Sequence, residues 1–148
     1  MSLLRNKYLV WSAQIILGFV FIFAAAGKIA DPASFAEAIA NYKLVPAMFI
    51  NFFAIIIPWI ELVSGILLIF NNFPKENSLI INSLLILFII MVAVAMLRGL
   101  NIDCGCYGTS HAQQVGFQKI LENIGLLILG AYIYCFSIPH ADSHNEDI

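Results

Sequence analysis

The sequence predicts an all-α integral membrane protein, a four-helix bundle with a short interfacial helix between the first and second spans. Three observations lead to this fold class. Of the 148 residues, 61% are hydrophobic and 11% are charged, whereas about half of an ordinary soluble domain is apolar. The apolar residues form four long runs, each with the roughly 20 residues that a helix needs to cross a bilayer. Short polar segments separate these runs, so we expect one membrane domain and no separate soluble domain.

The first span is predicted at about residues 8–27, preceded by Arg5 and Lys7. Its apolar stretch is longer than the roughly 7 to 15 apolar residues of a signal peptide. We therefore expect this segment to be retained as a span.

A short helix is predicted between the first two spans, from Asp31 to about Tyr42. Asp31-Pro32 is a helix start signal, because proline fits the first turn and an acidic side chain is favourable there. Apolar residues recur at helical spacing in this segment, which is typical of a helix lying in the membrane interface. These residues are Phe35, Ala38, Ile39 and Tyr42. The pattern fits a plain connecting helix and a substrate-binding helix equally well.

The second span, at about residues 46–70, contains Pro58 and Glu61. Pro58 is expected to kink the helix or to unwind it locally, because proline removes a backbone donor. At 1.5 Å per residue, Glu61 lies roughly 22 Å beyond the start of the span, near the bilayer midplane. A carboxyl group at that depth is costly unless it is protonated, paired or hydrated. Glu61 is therefore either a functional acid or a protonated side chain that bonds Asn82 or Ser83 on a neighbouring helix.

The third and fourth spans are predicted at about residues 78–98 and 117–138. The fourth span offers glycines for close contact between helices, at Gly125 and Gly130. We expect the membrane domain to comprise residues 1–139 and a flexible polar tail to comprise residues 140–148.

The most informative segment lies between the third and fourth spans, where residues 98–108 are polar and rich in glycine. It contains Cys104 and Cys106, separated by Gly105. In an extended strand, their Cα atoms would lie near or beyond the upper limit of about 6.8 Å for a disulfide. The chain must turn to close the bond, and Gly105 permits such a turn. Because a small ring is strained and a strained disulfide is easier to reduce, the pair is a candidate for thiol–disulfide exchange.

Other roles for the cysteines stay open on the residues alone. Sulfur sites for zinc normally need four ligands, and only His111 lies close in sequence, so we predict no metal site. A reduced, inert pair is common in intracellular proteins, where thiols are kept reduced. The net charge of −2 and the lack of a basic cluster in the sequence give nucleic acid binding no basis.

Four spans place both termini on one side of the membrane and the cysteine segment on the other. Lysine and arginine leave the orientation undecided, because three lie on the side of the termini and four on the side of the cysteines, giving the total of 7. A disulfide needs an oxidising compartment. We therefore expect a multi-pass protein of the bacterial inner membrane, with cytoplasmic termini and a periplasmic cysteine segment.

Charged residues of both signs gather on the side of the cysteines, namely Lys28, Asp31, Arg98, Asp103, Lys119 and Glu122. A cation beside a sulfur lowers the pKa of the thiol, whereas Asp103 would oppose this effect or accept a proton. The candidate supporting residues are Lys28, Glu61, Arg98 and Asp103. In the alternative interpretation, the basic side chains snorkel to the membrane surface and only anchor helix ends.

Several motifs extend from the first span to the cysteine segment. They are Gly27-Lys28, Asp31-Pro32, Phe35-Ala36, Ala38-Ile39, Tyr42, Leu44, Pro46, Pro58, Glu61, Gly65, Arg98-Gly99 and Asp103-Cys104-Gly105-Cys106-Tyr107-Gly108. Together they resemble the MauE branch of the DoxX-like membrane proteins, although Tyr107 stands where that family usually has phenylalanine.

The resemblance implies a four-helix membrane bundle that supports disulfide metabolism together with a thioredoxin-like periplasmic partner. It also implies that Cys104 and Cys106 are the redox pair, with Lys28, Glu61 and Arg98 at the matching polar positions. A looser similarity is to four-helix enzymes that pass electrons from thiols to a quinone. Those enzymes typically use two cysteine pairs, whereas this chain has three cysteines, so quinone is only a candidate cofactor.

The leading prediction is a membrane thiol–disulfide redox protein that supports disulfide formation or electron transfer through Cys104 and Cys106. Two alternatives remain. One is a non-catalytic assembly subunit in which the cysteines only lock the loop. The other is a bundle that binds a small molecule or lipid in a midplane cavity lined by Pro58 and Glu61. In every case the lipid bilayer is an expected partner.

Overall fold

A computed structural model describes residues 3–99 and 117–137 of the chain. After a short 3-10 turn, the described residues form five α-helices: α1 (Lys7–Ala30), α2 (Pro32–Asn41), α3 (Ala47–Ile69), α4 (Pro74–Leu97) and α5 (Phe117–Phe136). The four longer helices are long and apolar enough to cross a membrane. The predicted fold class, four spans with a short helix between the first two, is confirmed. The chain is a multi-pass membrane protein.

The junction between α1 and α2 follows from the local sequence. Asp31 ends α1, and its carboxylate accepts hydrogen bonds from the backbone N–H of Ser34 at 3.1 Å and from the Ser34 hydroxyl at 2.6 Å. Pro32 occupies the first position of α2, where its missing N–H costs nothing. The predicted start signal therefore acts as a helix cap, and a single residue separates the two helices.

The other helix boundaries agree less closely with the sequence pattern. α4 begins at Pro74 rather than near residue 78, because proline fits the first turn of a helix. α3 continues through Pro58 as one helix, so the local unwinding that this proline could cause does not occur. The division at residue 139 and the polar tail at 140–148 lie outside the described residues and stay predictions.

α1 and α3 run antiparallel. Gly18 of α1 lies against Gly65 of α3, and further along α1 the side chain of Lys28 reaches Glu61. Residue numbers thus rise along α1 as they fall along α3. A Cβ atom at Gly18 would lie 2.7 Å from the carbonyl oxygen of Gly65, and one at Gly65 would lie 2.9 Å from that of Gly18. The close crossing therefore requires glycine on both helices.

Two hydrogen bonds define one membrane face, which we call the terminal face. Gln14 of α1 donates to the side chain of Asn71, in the α3–α4 turn, at 3.1 Å. Tyr132, near the end of α5, donates its hydroxyl to the carbonyl of Leu4 at 2.7 Å. The opposite face, the loop face, carries the end of α1, the start of α3, the end of α4 and the start of α5, with α2 beside them.

The core of the described residues divides into two clusters. The first lies toward the terminal face and consists of Ala13, Leu17, Phe21, Leu68, Ile81, Leu85 and Ile133. The second lies toward the loop face and consists of Phe35, Ile39, Ala54 and Phe88. Because α2 supplies two residues of the second cluster, it closes the loop face. The apolar positions predicted for α2 are all buried, at Phe35, Ala38, Ile39 and Tyr42.

The two glycines expected to aid helix contact in α5 differ. Gly130 packs directly against the side chain of Asn82 on α4, with no room for a Cβ atom, and its carbonyl accepts a hydrogen bond from Ser78. Gly125 has no described neighbour within 4 Å of its Cβ position. Of these two glycines, only Gly130 therefore has a described contact with α4.

Candidate functional site

Lys28 and Glu61 form an ion pair inside the bundle. The Nζ atom of Lys28 lies 2.8 Å from Oε1 and 2.9 Å from Oε2 of Glu61, and both residues are 1% exposed. Lys28 lies in the last turn of α1. Glu61 lies roughly 21 Å from the start of α3 at 1.5 Å per residue. The ammonium group donates to both carboxylate oxygens, and such charge-assisted bonds are stronger than neutral ones.

Two aromatic rings cover the ammonium group. Its nitrogen lies 5.0 Å from the ring centroid of Phe35 on α2 and 4.7 Å from that of Phe88 on α4. Both distances are within the range of about 6 Å at which a cation is attracted to a ring face. We call Lys28, Glu61, Phe35 and Phe88 the charge clamp. Its four side chains come from four different helices, so the clamp ties these helices together inside the bundle.

The charge clamp is a closed arrangement. Both oxygens of Glu61 are occupied by Lys28, and the rings exclude water from the ammonium group. A buried pair of this kind holds helices in a fixed register, because breaking it leaves an uncompensated charge. The clamp is therefore a packing contact between helices, and within the described structure it presents neither charge to solvent.

The structure contradicts one alternative interpretation for Glu61 and one for Lys28. Glu61 does not bond Asn82 or Ser83, because Lys28 is its partner; the Ser83 hydroxyl donates instead to the carbonyl of Leu79. Within the described part of the chain, Asn82 Oδ1 is buried without a hydrogen-bond partner. Lys28 does not snorkel to the membrane surface, since its side chain is 1% exposed.

The other predicted site residues are not part of the clamp. Arg98 caps the end of α4 and is exposed at the loop face. Asp103, Cys104 and Cys106 lie outside the described residues, between α4 and α5. The structure thus brings together Lys28 and Glu61 from the predicted set, and the functional roles of all six residues stay predictions.

A second ion pair lies at the start of α5. Lys119 and Glu122 are 2.8 Å apart, one turn from each other, and the Glu122 side chain is 37% exposed. Because the Glu122 carboxylate is in contact with water, which screens its charge, we expect this pair within one helix to be worth less than about 1 kcal/mol. This pair is therefore a useful comparison for the charge clamp.

Tyr42 follows the last residue of α2 and is 2% exposed. Burial raises the pKa of its phenol from 10.0 to about 12, because the charged form is disfavoured away from water. The hydroxyl therefore stays neutral at physiological pH.

Phe88 is the clamp residue that sequence reasoning missed. It lies in the third apolar run, where nothing distinguishes it from the surrounding leucines and isoleucines. The sequence likewise gives no signal for Gly18. Its partner Gly65, in contrast, is one of the motif residues that resemble the MauE branch. The pairing of Lys28 with Glu61 had a sequence signal, because a buried carboxylate near the midplane needs a cation.

Comparison with known proteins identifies the family. A family model described as methylamine utilisation protein MauE matches residues 6–136. The chain belongs to the MauE family. The matched region contains every helix of the charge clamp as well as the cysteine segment.

Individual MauE relatives agree with this assignment. The methylamine utilization protein MauE of Paracoccus denitrificans is 26% identical, over 88% of this chain and 70% of its own length. The MauE protein of Methylophilus methylotrophus is 28% identical, over 93% of this chain and 73% of its own length. Protein TlpB of Flavobacterium psychrophilum is 30% identical over 98% of this chain, which spans only 41% of TlpB. No solved structure matches the chain significantly.

Proposed function

We propose that this MauE-family protein is a membrane thiol–disulfide redox protein whose reactive pair is Cys104 and Cys106. The observation that carries the proposal is the Cys104-Gly105-Cys106 motif, placed between two spans of a chain whose family model matches residues 6–136. The names of its relatives connect the family with methylamine utilisation. A thioredoxin-like periplasmic protein is the proposed partner, as the family resemblance implies.

The proposed reaction is a two-electron exchange. A thiolate of the partner attacks one sulfur of the Cys104–Cys106 disulfide and forms a mixed disulfide, while the other cysteine leaves as a thiolate. The second thiol of the partner then loses its proton and attacks the mixed disulfide. The partner ends as a disulfide, and Cys104 and Cys106 end as two thiols that carry the two electrons and two protons.

The fold supports this proposal by giving the cysteine segment two fixed ends. α4 ends at Leu97 and α5 begins at Phe117, both on the loop face. Phe88 belongs to the charge clamp and lies on α4, so the clamp fixes the helix from which the segment departs. Arg98 is exposed at this departure point, where a cation is suited to stabilise a nearby thiolate.

We infer that the loop face is periplasmic and the terminal face cytoplasmic, in a bacterial inner membrane. Because Lys28 and Lys119 are buried and paired, they do not count as loop charges. Three basic residues then remain on the terminal face against two on the loop face, which favours a cytoplasmic terminal face. Arg5, Lys7 and Lys75 lie on the terminal face, and Lys43 and Arg98 lie on the loop face.

A labelling experiment tests reactivity and sidedness together. In a Cys135→Ser background, a membrane-impermeant maleimide is added to intact cells before and after a mild reductant. We expect Cys104 and Cys106 to be labelled only after reduction. In a background without native cysteines, Glu76→Cys reports on the terminal face. We expect this cysteine to be labelled only in permeabilised cells. The proposal would be refuted if Cys104 and Cys106 were labelled only in permeabilised cells and needed no reductant to react.

Trapping of the mixed disulfide tests the exchange itself. When one cysteine of the pair is replaced by alanine, the remaining thiolate can attack the disulfide of an oxidised partner, which is the reverse of the exchange above, and one partner sulfur leaves as a thiolate. The second cysteine that would release the partner is missing, so the mixed disulfide accumulates. We expect either Cys104→Ala or Cys106→Ala to capture a thioredoxin-like protein, and Cys135→Ala to capture nothing. If neither loop variant forms an adduct, exchange is unsupported.

A non-catalytic assembly subunit is the second candidate. The closed charge clamp favours it, because the best-defined polar cluster of the described residues packs helices and offers no reactive group. Unaltered function in a Cys104→Ser/Cys106→Ser variant would decide for this role. A midplane cavity lined by Pro58 and Glu61 stays a prediction, and in the described structure Glu61 is engaged by Lys28.

A further inference from the structure

The short helix α2 has the boundaries of a hinged element. Asp31, between α1 and α2, has φ −139° and ψ 78°, which is not helical. At the other end, Lys43 has a positive φ of 54°, and Pro46 precedes α3. Since a helix of 10 residues spans roughly 15 Å, α2 is too short to cross the bilayer. α2 is therefore a separate short element with a break in helical geometry at each end.

One side of α2 is buried and the other is exposed. Phe35, Ala38 and Ile39 are at most 8% exposed, whereas Glu37 and Ala40 are exposed. The buried side packs mainly on α3, so α2 is attached to the bundle through a single face. Among the described residues, such attachment favours local opening of α2 over the opening of a span that is packed on several sides.

The charge clamp lies directly beneath this buried side. Phe35 is the clamp residue that α2 supplies, and its ring centroid is 5.0 Å from the Lys28 ammonium nitrogen. The ring of Phe88 lies on α4, at 4.7 Å from the same nitrogen. Lifting α2 would remove one of the two rings and leave the ion pair facing the loop-face side of the membrane.

We propose that α2 is a hinged lid that controls the access of water to the Lys28–Glu61 ion pair, and that Phe35 is its latch. In the closed state, the ring of Phe35 rests on the ammonium group and the pair is dry. In the open state, the inner side of α2 and the ion pair are hydrated from the loop face. The inference concerns only described residues and is independent of the chemistry of the cysteines.

The test measures the accessibility of the two sides of α2 in lipid nanodiscs. In a chain without native cysteines, Ala38→Cys reports the inner side and Glu37→Cys the outer side. With a membrane-impermeant maleimide, we expect the inner position to react at least about tenfold more slowly. Phe35→Leu, which removes the ring but keeps an apolar side chain, should raise the inner rate by about tenfold and leave the outer rate unchanged. Phe21→Leu, a matched change in the other core cluster, should alter neither rate.

Several results would overturn the proposal. Equal labelling of the two positions in the parent protein would mean that α2 is not closed. An inner rate that Phe35→Leu does not change, or that Phe21→Leu raises equally, would mean that Phe35 is no latch. Hydrogen exchange of the otherwise unmodified chain provides a second measurement. We expect the amides of residues 32–41 to exchange faster than those of residues 54–68, and equal protection would show that α2 opens only when the whole bundle unfolds.

Discussion

Replacing Lys28 with methionine removes one partner of the buried ion pair. Glu61 then loses both charge-assisted hydrogen bonds and remains 1% exposed, with no other described cation beside it. Breaking a buried pair in this way costs about 3–5 kcal/mol, a large part of the roughly 5–15 kcal/mol that stabilises a typical domain. In the double variant Lys28→Met/Glu61→Leu, no charge is left unpaired. We expect its free energy of unfolding to lie within about 2 kcal/mol of the parent value.

The assay is reversible unfolding in mixed micelles, followed by far-ultraviolet circular dichroism. Glu122→Gln breaks the half-exposed pair of α5 and serves as the control, with an expected cost below about 1 kcal/mol. The double variant should be more stable than Lys28→Met alone, which gives a positive coupling energy between the two residues. A cost for Lys28→Met no larger than that of the control, or a double variant equal to the sum of the two singles, would refute the reasoning.

Three further predictions concern packing and ionisation around the charge clamp. Gly18→Ala places a methyl group 2.7 Å from the carbonyl of Gly65 and should destabilise the bundle by about 1–3 kcal/mol, whereas Gly125→Ala, in open space, should be neutral or stabilising in the same micelle assay. Phe88→Leu removes a ring from the desolvated ammonium and should cost about 1–2 kcal/mol; a cost that persists undiminished in the Lys28→Met background would contradict the cation–ring contact. Tyr42 stays neutral in the folded protein up to a pKa of about 12 but ionises near 10.0 when unfolded, so the unfolded state binds fewer protons above pH 10. The free energy of unfolding should therefore fall by on the order of 2 kcal/mol between pH 10 and pH 12, and a Tyr42→Phe variant with an identical pH dependence would exclude this cause.

The spans could be predicted because their signal is strong and local. A run of about 20 apolar residues has few structural outcomes other than a membrane helix. The start of α2 was equally readable, because Asp31 and Pro32 meet the geometric needs of a helix N-terminus. The start of α4 is harder to predict, since Pro74 lies in a polar segment that resembles a loop, although proline is suited to the first helical turn.

The candidate site was predictable only in part. The charges of Lys28 and Glu61 are conspicuous in an apolar chain, so the sequence marks both as residues that need partners. Which partner each takes depends on the rotation and depth of α1 against α3, and these depend on contacts between residues distant in sequence, such as Gly18 and Gly65, rather than on any local pattern. Phe88 carries no signal at all, because one ring within a long apolar helix fits lipid contact as well as core contact.

The charge clamp also explains why an apolar bundle keeps two charges near its centre. Leucine and isoleucine side chains of α1 and α3 gain little from one helix register over another, because lipid tails solvate them as well as a neighbouring helix does. A one-residue slide would leave them almost equally stable. It would, however, separate the Lys28 ammonium from the Glu61 oxygens, and an unpaired charge in this environment is strongly disfavoured. The pair therefore specifies register more than it adds stability, which accounts for the expected near-parental stability of Lys28→Met/Glu61→Leu. If this reasoning holds, that double variant should show a broader distribution of distances between spin labels on α1 and α3 than the parent protein, and an unchanged distribution would show that Gly18 and Gly65 set the register alone.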